Sequence, residues 1–338
     1  SSVSVLPRTS PATARNSSAQ PRPICMCLSA KNPASHKYSQ FRGNRPFKEA
    51  ATSFYKKHYG VDLDSERELC VMGGATIGLV ELPLALMNPG DLLLLPDPGY
   101  PDYLSGVSLG RVAYETFPLT AENDFLPDLD AIPEETARRA KFIYINYPNN
   151  PTGAVATKAF YEKLVAWAKT YEVGVVSDLA YGALGYQGYE NPSFLSTPGA
   201  KDVGIEFYTF SKTFNMAGWR LAFAAGNDQM IEALNLIQDH LFVGIFPALQ
   251  EAGIGALLDP KSEEAVAQLN ATYDSRRDAF VQAAAKIGWQ AFPSRGSFYA
   301  WMPVPEGYTS ESFADLLLEK VHVAVAPGKG FGPAGDAY

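Results

Sequence analysis

Apolar residues in this chain gather into short continuous runs, each closed by glycine, proline or a small polar residue. The runs cover residues 69–72, 92–95, 142–146, 174–177, 206–210 and 221–225. Four or five apolar residues in a row, without polar alternation, predict strands buried on both faces, as in a parallel sheet with helices on either side. Between the runs the spacing changes to that of a helix. Phe47, Phe54, Tyr55 and His58 recur at helical intervals and stop at Gly60, while Phe160, Leu164, Trp167, Ala168 and Tyr171 form one apolar face behind Thr157, a residue suited to capping a helix. Further helical spacing places Met230, Ile231, Leu234 and Leu241 on one face. A longer stretch with Val266, Leu269, Tyr273, Phe280, Ala284 and Ile287 is long enough to join two domains. Strand-like runs at 289–292, 298–302 and 322–326 surround a helix after Ser310.

This alternation predicts an α/β protein: a large domain over 46–265, with a mostly parallel sheet covered by helices, and a smaller α/β domain over 266–338. A short arm, 33–45, precedes the large domain. Residues 1–32 differ in composition, being rich in Ser, Pro, Ala and Arg, and no acidic residue occurs before Glu49. Such a leader suits disorder, an organellar transit peptide, a linker or an artefact of cloning.

The remaining composition narrows the classes of partner. With 338 residues, 46% of them hydrophobic, the chain can bury a large core. A net charge of -8 and a pI near 5.1 argue against nucleic acid or an anionic membrane as the main partner. The absence of an apolar run of about 18 residues predicts a soluble protein. Cys25 and Cys27 stand too close for a common metal pair and Cys70 stands alone, so neither a disulfide scaffold nor a metal site is expected, and a reducing, cytoplasmic compartment fits.

Chemistry is concentrated at the ends of the predicted strands. Lys212 follows one apolar run within Phe-Tyr-Thr-Phe-Ser-Lys-Thr-Phe-Asn-Met-Ala-Gly-Trp-Arg, residues 207–220. A partly buried lysine has a lowered pKa, and its neutral amine can form an imine with a carbonyl. Residues 73–78, Gly-Gly-Ala-Thr-Ile-Gly, open a helix after a strand, where free N–H groups and the helix dipole favour an anion. Asp178 closes another strand, at the edge where ligands of open α/β sheets bind.

Taken in order, Gly-Gly-Ala-Thr-Ile-Gly, Pro-Asp-Pro-Gly-Tyr-Pro-Asp-Tyr from Pro96, Asn-Tyr-Pro-Asn-Asn-Pro-Thr-Gly from Asn146, Ser-Asp-Leu-Ala-Tyr-Gly from Ser177 and the lysine segment resemble the class I/II aminotransferases. These are pyridoxal phosphate enzymes on the aspartate-aminotransferase fold, and the wording is nearest the branch of LL-diaminopimelate and related methionine- or aromatic-directed aminotransferases. The resemblance runs from about Pro33 to the last residue. It implies a Schiff base between Lys212 and pyridoxal 5'-phosphate, with Asp178 at the pyridine nitrogen and Tyr181 and Asn150 at the ring oxygen. Asn150 also assists at the substrate carboxylate. It implies Tyr100 stacked on the ring, and Gly74, Ala75, Thr76, Thr209 and Arg220 around the phosphate. Tyr38 would reach the phosphate of a neighbouring subunit in a homodimer, or else be an exposed loop tyrosine.

The implied activity is ping-pong transfer of an amino group between an amino acid and a 2-oxo acid. A C–S lyase on the same scaffold, and a cofactor-binding member without turnover, are the alternatives. In the family a strand after the Gly-Phe-Gly…Tyr pattern carries an arginine for the substrate carboxylate, and the sequence ends at Tyr338 before it. An incomplete small domain is therefore expected.

Overall fold

A computed structural model describes residues 29–292 and 294–338. Cys25, Cys27 and most of the leader lie outside the described residues. Seven strands form one sheet: β1 (Leu69–Met72), β2 (Leu92–Asp97), β3 (Ala113–Pro118), β4 (Ala140–Asn146), β5 (Gly174–Asp178), β6 (Gly204–Thr209) and β7 (Ala222–Gly226). Their order is β1-β7-β6-β5-β4-β2-β3, and all neighbours are parallel except β7, which runs antiparallel to β1 and β6. The helices used below are α1 (Arg45–Tyr59), α2 (Ala75–Leu86), α3 (Tyr103–Gly110), α4 (Lys158–Tyr171), α5 (Phe210–Thr213), α6 (Asp228–Leu241), α7 (Pro247–Leu258), α8 (Pro260–Lys286) and α9 (Ser310–Val321).

The uninterrupted apolar runs become central strands because both faces of the sheet are covered. Successive residues point to opposite faces. Thus Leu69, Val71, Leu92, Leu94 and Tyr208 join one core, and Cys70, Met72, Leu93, Leu95 and Phe207 the other. Local signals close the helices as their residues require. The Thr157 hydroxyl accepts from the Phe160 N–H at 3.1 Å, and Gly60 ends α1 in the left-handed region at φ 71°.

Two departures from the sequence expectation have physical causes. Strand β3 was not foreseen, because it is an edge strand in which only Phe117 is buried, and an edge needs no continuous apolar run. The strands expected at 289–292, 298–302 and 322–326 do not form among the described residues. Phe292 bonds Trp301 through one backbone N–H, and Gly296 makes a single bridge to Gly185. Ser297 lies in the left-handed region at φ 59°, which breaks any ladder there, and Val323 and Val325 are exposed.

Strand order also fixes where ligands go. The chain moves from β2 outward to β3, then returns to the other side of β2 for β4, β5 and β6. The order therefore reverses between β2 and β4, which opens a crevice at the carboxyl ends of these strands. Asp97, Asn146, Asp178 and Thr209 are the last residues of β2, β4, β5 and β6.

One carboxylate ties this edge to its surroundings. Glu206, fully buried on β6, accepts hydrogen bonds from the hydroxyls of Tyr55 (3.2 Å), Ser177 (3.0 Å) and Ser193 and from the Phe194 N–H (2.9 Å). Glu206→Ala leaves these donors without a partner, each worth about 1–3 kcal/mol when buried unpaired. The variant is expected to lose at least about 3 kcal/mol in urea unfolding on that basis. Glu206→Gln, which keeps an acceptor, is expected to lose less.

Candidate active site

Parallel register brings the carboxyl ends of β4, β5 and β6 side by side, with Asn146 opposite Asp178 and Asp178 opposite Phe207. Around them lies a cavity of ≈ 390 Å³. Ala75 and Thr76 enter it from the start of α2, Tyr100 from the turn after β2, and Asn150 from the turn after β4. Asp178 and Tyr181 come from the end of β5, and Thr209, Lys212 and Arg220 from the end of β6 and the turn beyond it.

Asp178 is buried, and its Oδ2 accepts from the Tyr103 hydroxyl at 3.0 Å. Its Oδ1 has no hydrogen-bond partner. Burial pushes its carboxyl up to about 6, against the opposing pull of Tyr103, the Ala180 N–H and Lys212. The Lys212 amine is shifted the other way, lowered by burial and by the Arg220 charge and partly restored by Asp178. Its Nζ sits 5.4 Å from the centroid of the Phe298 ring. Asn146 organises the neighbouring turn. Its Nδ2 donates to the Asp178 carbonyl at 2.8 Å and its Oδ1 accepts from the Asn150 N–H at 2.7 Å. Asn150 keeps an unpaired Oδ1.

The opposite end of the cavity is built for an anion. Helix α2 begins after Gly74 with no side chain capping its N-terminus. Gly74 has φ 122°, a backbone conformation that favours glycine, and a Cβ there would overlap the Arg220 guanidinium where it now lies. Arg220 is itself held by its Nη1 donating to the Ala217 carbonyl at 2.9 Å. The Thr209 hydroxyl donates to Ser211 Oγ at 3.0 Å. Tyr100, whose hydroxyl donates to Asp102, spans the two ends and lies 3.4 Å from the Thr76 hydroxyl.

Ten of the eleven residues singled out in the sequence therefore meet here, nine lining the cavity and Gly74 backing Arg220. The eleventh, Tyr38, is 90% exposed and lies outside this chain's own cavity. Sequence reasoning missed three residues: Asn146, Tyr103 and Tyr299. Tyr103 follows Tyr100 by three places, one turn along the chain, and that spacing was the available signal. Tyr299 lines the cavity from a distant segment and offered no such signal.

An uncapped helix start with an arginine beside it, an unpaired carboxylate oxygen, an unpaired amide and a suppressed lysine fit a planar phosphorylated aldehyde with a ring nitrogen. The residues present thus suit pyridoxal phosphate.

Comparison with known proteins agrees. The family profile for aminotransferase class I and II matches residues 9–336. The L-glutamine–4-(methylsulfanyl)-2-oxobutanoate aminotransferase of Bacillus subtilis is 56% identical, over 91% of this chain and 77% of its own length. The LL-diaminopimelate aminotransferase of Moorella thermoacetica is 47% identical, over 91% and 79%. Among solved structures, substrate-bound BacF from Bacillus subtilis superposes with a TM-score of 0.90 at 45% identity, covering 93% of this chain and 80% of that one. The aromatic aminotransferase of Pyrococcus horikoshii gives 0.89 at 29% identity, covering 93% and 84%.

The buried Asp178 makes a pH-dependent prediction for the cofactor-free protein. Its folded pKa, about 6, lies above the ordinary 3.8. Its contribution to stability is therefore greatest below the ordinary value and falls as pH rises through 6. Asp178→Asn removes that fall, and the cofactor-free variant is expected to be more stable than wild type by about 1–3 kcal/mol at pH 8, with the advantage gone by pH 4. Denaturant midpoints at the two pH values check this.

Proposed function

The chain belongs to the class I and II aminotransferases, which use pyridoxal phosphate to move an amino group between an amino acid and a 2-oxo acid, and we propose that Lys212 anchors the cofactor and moves the proton. The observation that carries this reading is the pairing, in one cavity, of a lysine with a lowered pKa and a buried aspartate with one unpaired oxygen. When bound, pyridoxal phosphate supplies an aldehyde that links to amines and an electron-poor ring that stabilises negative charge at a neighbouring carbon.

The chain's own residues then have separable tasks. Arg220, the N–H groups of Ala75 and Thr76, and the Thr209 hydroxyl hold the phosphate, charge against charge. Tyr100 holds the flat ring by its face. The Asp178 carboxylate keeps a proton on the ring nitrogen through the oxygen that Tyr103 leaves free, and Asn150 and Tyr181 hold the ring oxygen. Lys212 Nζ, whose charged form burial and Arg220 disfavour, would take up and hand on the proton of the substrate carbon.

For substrates we propose glutamine as amino donor and an unbranched thioether oxo acid, 4-(methylsulfanyl)-2-oxobutanoate, as acceptor. The 56% identity to the Bacillus subtilis enzyme named for that pair supports this. So do the aromatic rings of Tyr181 and Tyr299, which line the cavity, with Phe298 packed on Tyr181, because thioether sulfur packs favourably on ring edges. With glutamine as donor, kcat/KM for this acceptor is expected to exceed that for the branched 3-methyl-2-oxobutanoate by about tenfold or more. A preference for LL-diaminopimelate as donor would contradict it. Lys212→Ala is expected to abolish both turnover and the absorbance band near 400 nm of the lysine-linked cofactor, while retained absorbance would refute the anchoring role.

We propose a two-fold dimer whose sites are shared. Tyr38 is exposed on the arm, and the arm packs beside Gly244, next to the exposed apolar residues Phe242, Val243 and Phe246. In the dimer Tyr38 reaches the partner's phosphate. Tyr38→Phe is expected to weaken cofactor binding about three- to tenfold, the loss of one charge-assisted hydrogen bond. Sedimentation at monomer mass would remove Tyr38 from the site. A cytoplasmic location is proposed with this reading, supported by the free buried thiol of Cys70.

A further inference from the structure

Tyr299 lines the cavity from a segment outside the five motifs quoted above. Its hydroxyl lies 3.0 Å from the Tyr181 hydroxyl, and neither phenol has another hydrogen-bond partner among the described residues. The two tyrosines sit on separate segments that are stapled together beyond them. Gly185 pairs with Gly296, the Ser297 N–H donates to the Leu184 carbonyl at 3.2 Å, and the Tyr186 hydroxyl donates to the Ser297 carbonyl. The buried, left-handed Ser297 then turns the chain so that Phe298 packs T-shaped with Tyr181, ring centroids 5.3 Å apart, and Tyr299 faces the cavity.

A phenol has one proton to give and can accept as well. If Tyr181 spends its proton on Tyr299, it has none for a ligand. If Tyr299 donates, the Tyr181 proton is free to point elsewhere, and accepting one hydrogen bond strengthens the one it gives. We propose that Tyr299 is a positioning residue for Tyr181: its hydroxyl donates to the Tyr181 oxygen and directs the single Tyr181 proton into the cavity beside Lys212. This rests on the roles assigned above to Tyr181 and Lys212. It makes the donor strength of Tyr181 depend on the 294–299 segment, far along the chain from the motifs. Asp178, Tyr100, Asp102, Lys212 and Arg220 are the other titratable or charged groups lining the cavity around the pair, and none of them bonds either hydroxyl.

The test is a pH titration of the absorbance of the cofactor-loaded protein, which reads the proton on the Lys212 nitrogen independently of turnover. Tyr181 donating to the ring oxygen favours loss of that proton, so weakening the donor raises the midpoint. Tyr299→Phe keeps the ring packing and removes the hydroxyl. It is expected to raise the midpoint by about half a unit to one unit, Tyr181→Phe by more, and the double variant by no more than Tyr181→Phe alone. A Tyr299→Phe titration that overlays wild type, or shifts that add in the double variant, would overturn the proposal. Should Tyr299→Phe fail to load cofactor, Tyr299→His, which keeps a donor, is titrated instead. A midpoint near wild type then supports the proposal, and one displaced as far as Tyr181→Phe overturns it. Lys212→Ala separates the two levels: if it keeps the band, the lysine assignment has failed, whereas loss of the band with a silent Tyr299→Phe defeats only this inference.

Discussion

A carboxylate and an amine held out of water in one cavity are the constraint on which the rest of this site depends. Asp178 would be protonated or expelled if burial acted alone, since transfer from water penalises its charged form. Tyr103, the Ala180 N–H and Lys212 oppose that penalty and leave a carboxyl that ionises near neutral pH. The same burial lowers the Lys212 amine. Each group is thus moved toward the pH at which proton transfer is useful, and each in the direction its charge dictates. The unpaired Asp178 Oδ1 carries a cost that a ring N–H would relieve.

Such a pair can be held only by a stiff frame, and the sheet supplies it. Four adjacent strands end at one edge, so Asn146, Asp178 and Thr209 are set by backbone register and need no flexible loop to bring them together. The reversal of strand order between β2 and β4 leaves the crevice into which Tyr100 and Asn150 turn. Gly74 then permits the Arg220 guanidinium to approach the uncapped start of α2, joining the charged end of the cavity to its acid–base end. Membership of the aminotransferase family and this geometry lead independently to the same cofactor.

The central strands and the motif residues were legible because their cause is local. A run such as 142–146 is apolar since both faces are covered, and Asp178, Asn150 and Lys212 stand at predictable distances from strand ends. What the sequence hid depends on distant contacts. Edge strand β3 carries one buried residue and so no run. Residues 289–292 and 298–302 look strand-like by composition, yet Ser297 between them takes a left-handed conformation where Leu184 and Tyr186 hold its backbone, and no periodicity records that. Tyr299 reaches Tyr181 only through this staple. Tyr103 lay within reach of inference, three residues after Tyr100, but its partner is 75 positions away.

The most direct test of the account is to trap the link between chain and cofactor. The protein loaded with pyridoxal phosphate is reduced with borohydride, digested and mapped by mass spectrometry. The account predicts a single pyridoxyl adduct on the peptide containing Lys212, and its disappearance when an amino acid substrate is added before reduction. An adduct on another lysine, or none on a protein that still transaminates, would contradict it.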